Sequence, residues 1–139
     1  MTVRLRPGPV RPLLRALVVA GSVAAGLLVA CDDDPLQGPG ALIARVDAPS
    51  SELGSAVLEV RGSGIRGFEA AGDARVFARD VGDGSWRVVV ADPGGGELLV
   101  RIRVDDVAGP LPSTVITSAA DTANAVLSSG VSTTVGHER

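Results

Sequence analysis

Residues 97–105 alternate without a break. Leu98, Val100, Ile102 and Val104 fall on one side, and Leu99, Arg101, Arg103 and Asp105 on the other. Successive side chains of an extended chain point to opposite faces, so this segment predicts a half-buried antiparallel strand. Ser55–Arg61 repeats the pattern, with Ala56, Leu58 and Val60 on one face and Glu59 and Arg61 on the other. Ser85–Ala91 repeats it through Trp86, Val88 and Val90. Further strands are expected at Ala41–Ala48, Ile65–Ala70, Ala74–Asp80 and Ser113–Ser118.

Breakers separate these segments: Pro49-Ser50-Ser51, Gly62-Ser63-Gly64, Gly72-Asp73, Asp92-Pro93-Gly94-Gly95-Gly96 and Gly109-Pro110-Leu111-Pro112. Val81-Gly82-Asp83-Gly84 predicts a tight hairpin, because Asp83-Gly84 suits positive φ. About seven short strands punctuated this way predict an all-β, antiparallel β-sandwich. Its inward set would be Ala56, Leu58, Val60, Trp86, Val88, Val90, Leu98, Val100, Ile102 and Val104. Ala119–Leu127 has the option of a short helix, and residues 127–139 are expected to be a disordered tail.

The N-terminal segment follows a different rule. Arg4, Arg6, Arg11 and Arg15 precede an apolar run from Ala16 to Ala30, with no acidic residue before Asp32. A membrane-spanning helix needs about 20 apolar residues, whereas a signal-peptide core needs roughly 7–15. The run ends Leu28-Val29-Ala30-Cys31, which resembles the lipobox of bacterial lipoprotein precursors. The resemblance implies a signal helix over residues 1–30 that is removed, leaving Cys31 as the lipidated first residue. In that family the thiol takes a diacylglycerol as a thioether, and a peptidase cuts before it. Cys31 is the one cysteine, so an internal disulfide is excluded. Each acyl CH₂ contributes about 0.8 kcal/mol, and one chain holds only marginally, so two or three on Cys31 would hold the domain at the membrane. Residues 31–40 then read as a lipidated tether and residues 41–126 as the sandwich. The expected place is the bacterial cell envelope, on the extracytoplasmic side of either membrane.

Charge narrows the partners. Nine arginines against sixteen acids leave residues 31–139 with seven negative charges in excess. That balance argues against nucleic acid and against an anionic lipid surface.

From Ala41 to about Ala123 the order of elements resembles a cohesin-like domain. Three segments carry the likeness. Ala41–Pro49 resembles the opening strand, Glu97–Val104 the alternating strand, and Ser113–Asp121 the closing strand. The resemblance implies a jelly-roll sandwich, shared with several carbohydrate-binding modules. It brings no binding residues, and fold alone does not imply function.

Few residues point to chemistry. His137 is the only histidine and falls in the expected tail, where a catalytic base would lack a rigid setting. One histidine and a lipidated cysteine nearly exclude the usual zinc sites. Asp80, Asp83 and Gly84 superficially match a calcium loop, but the alternating acids and closing Glu are missing. Asp105-Asp106 could join a calcium site at a sandwich edge, although an exposed strand end explains them better. Gly62-x-Gly64-x-x-Gly67 matches a nucleotide fingerprint by letters but precedes a strand instead of a helix. Trp86 has the parity of a core residue, whereas Phe77 shares parity with Arg75 and Arg79. Arg75, Arg79, Arg101 and Arg103 could gather on one outer sheet face and, if unpaired, bind an acidic partner. No catalytic residue, cofactor or metal is therefore expected. The first expectation is a lipid-anchored, non-enzymatic binding or structural module that meets an envelope protein or a glycan. A carbohydrate-binding lipoprotein is the alternative, and an envelope enzyme the third.

Overall fold

Eight strands account for most of the domain: β1 (Gly40–Asp47), β2 (Leu53–Arg61), β3 (Ile65–Ala71), β4 (Arg75–Gly82), β5 (Ser85–Gly96), β6 (Leu98–Val104), β7 (Ser113–Asp121) and β8 (Ser132–His137). The structure is a computed structural model and describes residues 37–48 and 53–138. The signal segment, Leu28, Val29, Ala30, Cys31 and the Asp32–Asp34 run lie outside the described residues.

The strands form two four-stranded sheets. Sheet I has the order β3-β6-β1-β8 and sheet II the order β4-β5-β2-β7. Every neighbouring pair is antiparallel. The pairs β1·β8, β2·β7, β3·β6 and β4·β5 make one long ribbon closed by the β4–β5 hairpin. The ribbon is wound so that the chain changes sheet at every connection except that hairpin.

Both inner faces are aliphatic. Leu42, Ala44, Val46, Leu98, Val100, Ile102 and Val104 come from sheet I; Leu53, Ala56, Leu58, Val60, Val88, Val90 and Ala119 come from sheet II. All are buried, and each Val, Leu or Ile removed from water contributes about 1.5–3 kcal/mol. No polar or charged side chain is buried among the described residues. The expected inward set is buried throughout, apart from Trp86, which is half-buried. Its ring lies 5.3 Å from that of Phe68, tilted by 59°, and joins β5 of sheet II to the edge strand β3 of sheet I.

The hairpin forms as its residues require. Asp83 and Gly84 have φ of 54° and 68°, and Gly82 pairs with Ser85 across the two-residue turn. Beyond it the register shifts by one residue, because Val81 is an extra residue between the Gly82–Ser85 and Asp80–Trp86 pairs. The Asp80 carboxylate accepts the Gly82 N–H at 2.8 Å and holds this bulge.

Three sequence expectations are corrected. Residues 127–139 are no simple tail, because Ser132–His137 form β8 against the central strand β1. Its signal is weak since Ser, Thr, Gly and His dominate it, as an edge strand permits. Ala119–Leu127 is not helical. The Asp121 carboxylate accepts the N–H groups of Ala123 and Ala125 at 2.9 and 2.8 Å, and the chain doubles back to pair Val126 with Ala120. Residues 92–96 do not lie wholly outside the sheet. β5 runs on to Gly96, which pairs with Leu53, while residues 92–95 arch out between that pair and Ser55–Ala91.

Candidate functional site

Each sheet has one face turned to the core and one turned outward. On the outer face of sheet II, Phe77 of β4 stands opposite Val89 of β5, and Val89 opposite Val57 of β2. The next row runs Arg79, Arg87, Glu59 and Val115 across all four strands. Phe77 is 65% exposed and Val115 58%. An apolar strip thus crosses three of the four strands and meets Ser118 of β7, beside the row that holds Arg79 and Arg87, with Arg75 and Arg61 at its margins.

The charges on this face are poorly matched. Glu59 is the single acid among Arg61, Arg75, Arg79 and Arg87, and it reaches Arg61 at 3.7 Å and Arg87 at 3.9 Å. Arg75 and Arg79 make no ion pair among the described residues. Arg79 and Arg87 face each other directly across the ladder, an arrangement that repels.

The outer face of sheet I is the opposite case. Arg45 pairs with Glu97, Arg66 with Asp105, and Arg101 with Glu138; Glu69 also lies 3.9 Å from Arg101 and 3.6 Å from Arg103. The hydrogen bond from Arg101 holds the Glu138 carboxyl below its ordinary range and raises the guanidinium in turn. A shallow depression of about 450 Å³ lies here, floored by Ile43, Ala71 and Leu99 and rimmed by Arg45, His137 and Glu138. His137 is therefore an exposed residue at the end of β8, opposite Leu42.

The acids weighed for calcium have other tasks. Asp80 holds the Val81 bulge, Asp83 occupies the turn, and Asp105 pairs with Arg66. Asp106 accepts N–H groups from Gly38 and Ala108, each at 2.9 Å, and the bond from Gly38 is the main reason its carboxyl is held low. The Val107 N–H binds the Gly38 carbonyl at 2.9 Å, and a Cβ at Gly40 would meet the Val107 side chain at 2.6 Å. The β6–β7 loop thus clamps the chain where it joins β1. Among the described residues no three His, Cys, Asp or Glu side chains gather as a metal site would need. Gly62 donates to the Gly84 carbonyl at 3.0 Å, Gly64 has a φ of 69°, and Gly67 lies within β3. These glycines shape a turn and a strand.

The expected cluster of Arg75, Arg79, Arg101 and Arg103 is split between opposite faces of the sandwich. Parity along a strand says which residues share a face, but not which sheet the strand joins. Arg87, Val57, Val89 and Val115 were not singled out from the sequence. A hairpin without the Val81 bulge would set Arg79 opposite Val88, so the register alone could not have brought Arg79 to Arg87.

No protein-family model, curated protein or solved structure matches this chain.

Proposed function

We propose that this chain is a lipid-anchored protein of the bacterial cell envelope whose β-sandwich is a non-enzymatic binding module. The outer face of sheet II carries the binding half of this reading. Four arginines, one glutamate and exposed Phe77 and Val115 share that face of a domain that is otherwise strongly acidic. Unneutralised charge beside exposed apolar surface fits a protein partner bearing acids. Acids on that partner would relieve the repulsion between Arg79 and Arg87.

The anchor half rests on Leu28-Val29-Ala30-Cys31 after an arginine-flanked apolar run. Six residues separate Cys31 from Gly38. Fully extended they would let the domain stand at most about 25 Å from its anchor. The clamp around Gly38 would fix where that tether meets the sandwich. The ribbon pairing of β1·β8 through β4·β5 is the winding of a jelly-roll, which supports the cohesin-like reading of the fold.

The glycan-binding reading has Phe77 as its exposed ring, since Trp86 is engaged with Phe68. Sugar platforms usually present several aromatics, so an acid-bearing protein is the preferred partner. An enzyme would need a cleft with converging acid–base groups. The depression on sheet I instead joins an aliphatic floor to ion-paired rims.

Intact mass of the membrane-extracted protein, beside a Cys31→Ser variant, tests the anchor. A species beginning at Cys31 with added diacylglycerol and acyl mass, lost in the variant, is the expected result. Unlipidated or full-length protein would refute it.

A further inference from the structure

The sandwich has four edge strands, and their free edges are not alike. β3 carries Arg66 and Glu69, both neutralised from β6 or its end. The distal part of β7 is covered by the chain's own return, where the Leu127 N–H binds the Ala119 carbonyl at 2.9 Å. β8 touches β7 through the Thr133 and Thr114 hydroxyls at 3.2 Å. β4 is different. It ends its sheet, six of its eight residues from Phe77 onward are exposed, and among the described residues no backbone hydrogen bond reaches it from beyond β5. It also carries the two arginines that have no carboxylate partner among the described residues.

We propose that β4 is a strand-addition site for an extended, acid-bearing segment of another envelope protein. The inference rests on the reading of the sandwich as a binding module and specifies how it binds. An unpaired strand edge presents a row of N–H and C=O groups that an extended segment satisfies by pairing. Arg75, Phe77 and Arg79 project from one face of β4 at a spacing of two. An added strand would set an apolar residue beside Phe77 and an acid beside each arginine. Its acids therefore recur four residues apart, with the apolar residue midway.

The same arginines select against the wrong partner. A second copy of β4 paired antiparallel about Phe77 would set Arg75 against Arg79 twice, so self-addition is repelled. Charge on an edge strand commonly guards against aggregation. Here the guard has one sign on its outward side and is opposed by Arg87 within its own sheet, so an acidic strand is admitted where a copy is refused.

The test uses the full mature protein in detergent and four capped heptapeptides, with Trp86 as the optical probe because it pairs with Asp80 of β4. The first peptide is Thr-Glu-Thr-Val-Thr-Glu-Thr. The second has lysine in place of glutamate. The third and fourth keep the acids but are N-methylated at alternate residues, one in each phase. The acidic peptide should bind, and the lysine peptide should bind at least about tenfold more weakly, as loss of charge-assisted contacts predicts. In an Arg75→Glu, Arg79→Glu double variant the preference should reverse. N-methylation in the phase that faces β4 should also weaken binding about tenfold, because it removes ladder donors without touching charge. Equal binding of both N-methylated forms would overturn strand addition while leaving a binding face on sheet II. Equal binding of the acidic and lysine peptides, or none by either, would overturn the acidic partner. Neither result bears on the mass of the lipidated cysteine, which is decided separately.

Discussion

The two outer faces of this sandwich are built from the same residue types and reach opposite electrostatic states. Sheet I sets Arg45, Arg66, Arg101 and Arg103 among Glu69, Glu97, Glu138 and Asp105, and every arginine finds an acid. Sheet II sets an equal number of arginines around Glu59 alone and adds exposed Phe77 and Val115. Such surface pairs contribute little to stability, so the contrast bears on the proposed recognition more than on strength. A face that completes its own charges has little to offer a charged partner. A face that leaves them open does.

The two faces share one core, so core truncation should not distinguish them. Leu58 on sheet II and Ile102 on sheet I are both fully buried, and replacing either with alanine should cost about 2–5 kcal/mol. Each variant should unfold in a single transition by both fluorescence and circular dichroism. Separate transitions would mean that the sheets are independent.

Acid should separate the faces again. Asp106, held low by the Gly38 and Ala108 N–H groups, and Glu138, held low by Arg101, bind protons less readily when folded than when unfolded. The stability they add is complete above the ordinary carboxylate range. It is lost as pH falls below about 4.5 toward their depressed folded values. Asp106→Asn and Glu138→Gln should each flatten the acid limb of a Tm-against-pH curve. Arg75→Gln and Arg79→Gln on the other face should leave that limb unchanged.

How much of this was legible in the sequence follows from what alternation can report. Glu97–Asp105 and Ser55–Arg61 announced β6 and β2 because each buries one face of a regular strand, and Asp83-Gly84 announced its turn through the positive φ it requires. β8 stayed hidden because only Val135 and Thr133 point toward neighbouring strands from a polar segment, and its order comes from pairing with β1. Bulges were hidden for a related reason. At Thr117, β7 has an extra residue whose hydroxyl donates to the Val57 carbonyl at 3.1 Å, and the inward parity passes from Ile116 to Ala119. One such residue reverses every later assignment to a face, and at Val81 it decided where Arg79 points. The candidate site was therefore half visible: its arginines were noticed, but their grouping required the sheet order.

The smallest predicted effect bears most directly on the contrast between the faces. Arg79→Glu would replace a like-charge pair with an attractive one opposite Arg87 and leave the buried core untouched. Stability should rise, by no more than about 0.5 kcal/mol given the exposure of the pair. Binding of the acidic peptide should fall at the same time. A residue kept for packing or solubility has no reason to move these two quantities in opposite directions, whereas one held unpaired for a partner must. Equilibrium urea unfolding and peptide titration of this one variant would measure both. A loss of stability would show that Arg79 is already neutralised within its own domain, which would remove the distinction between the two faces at its central residue.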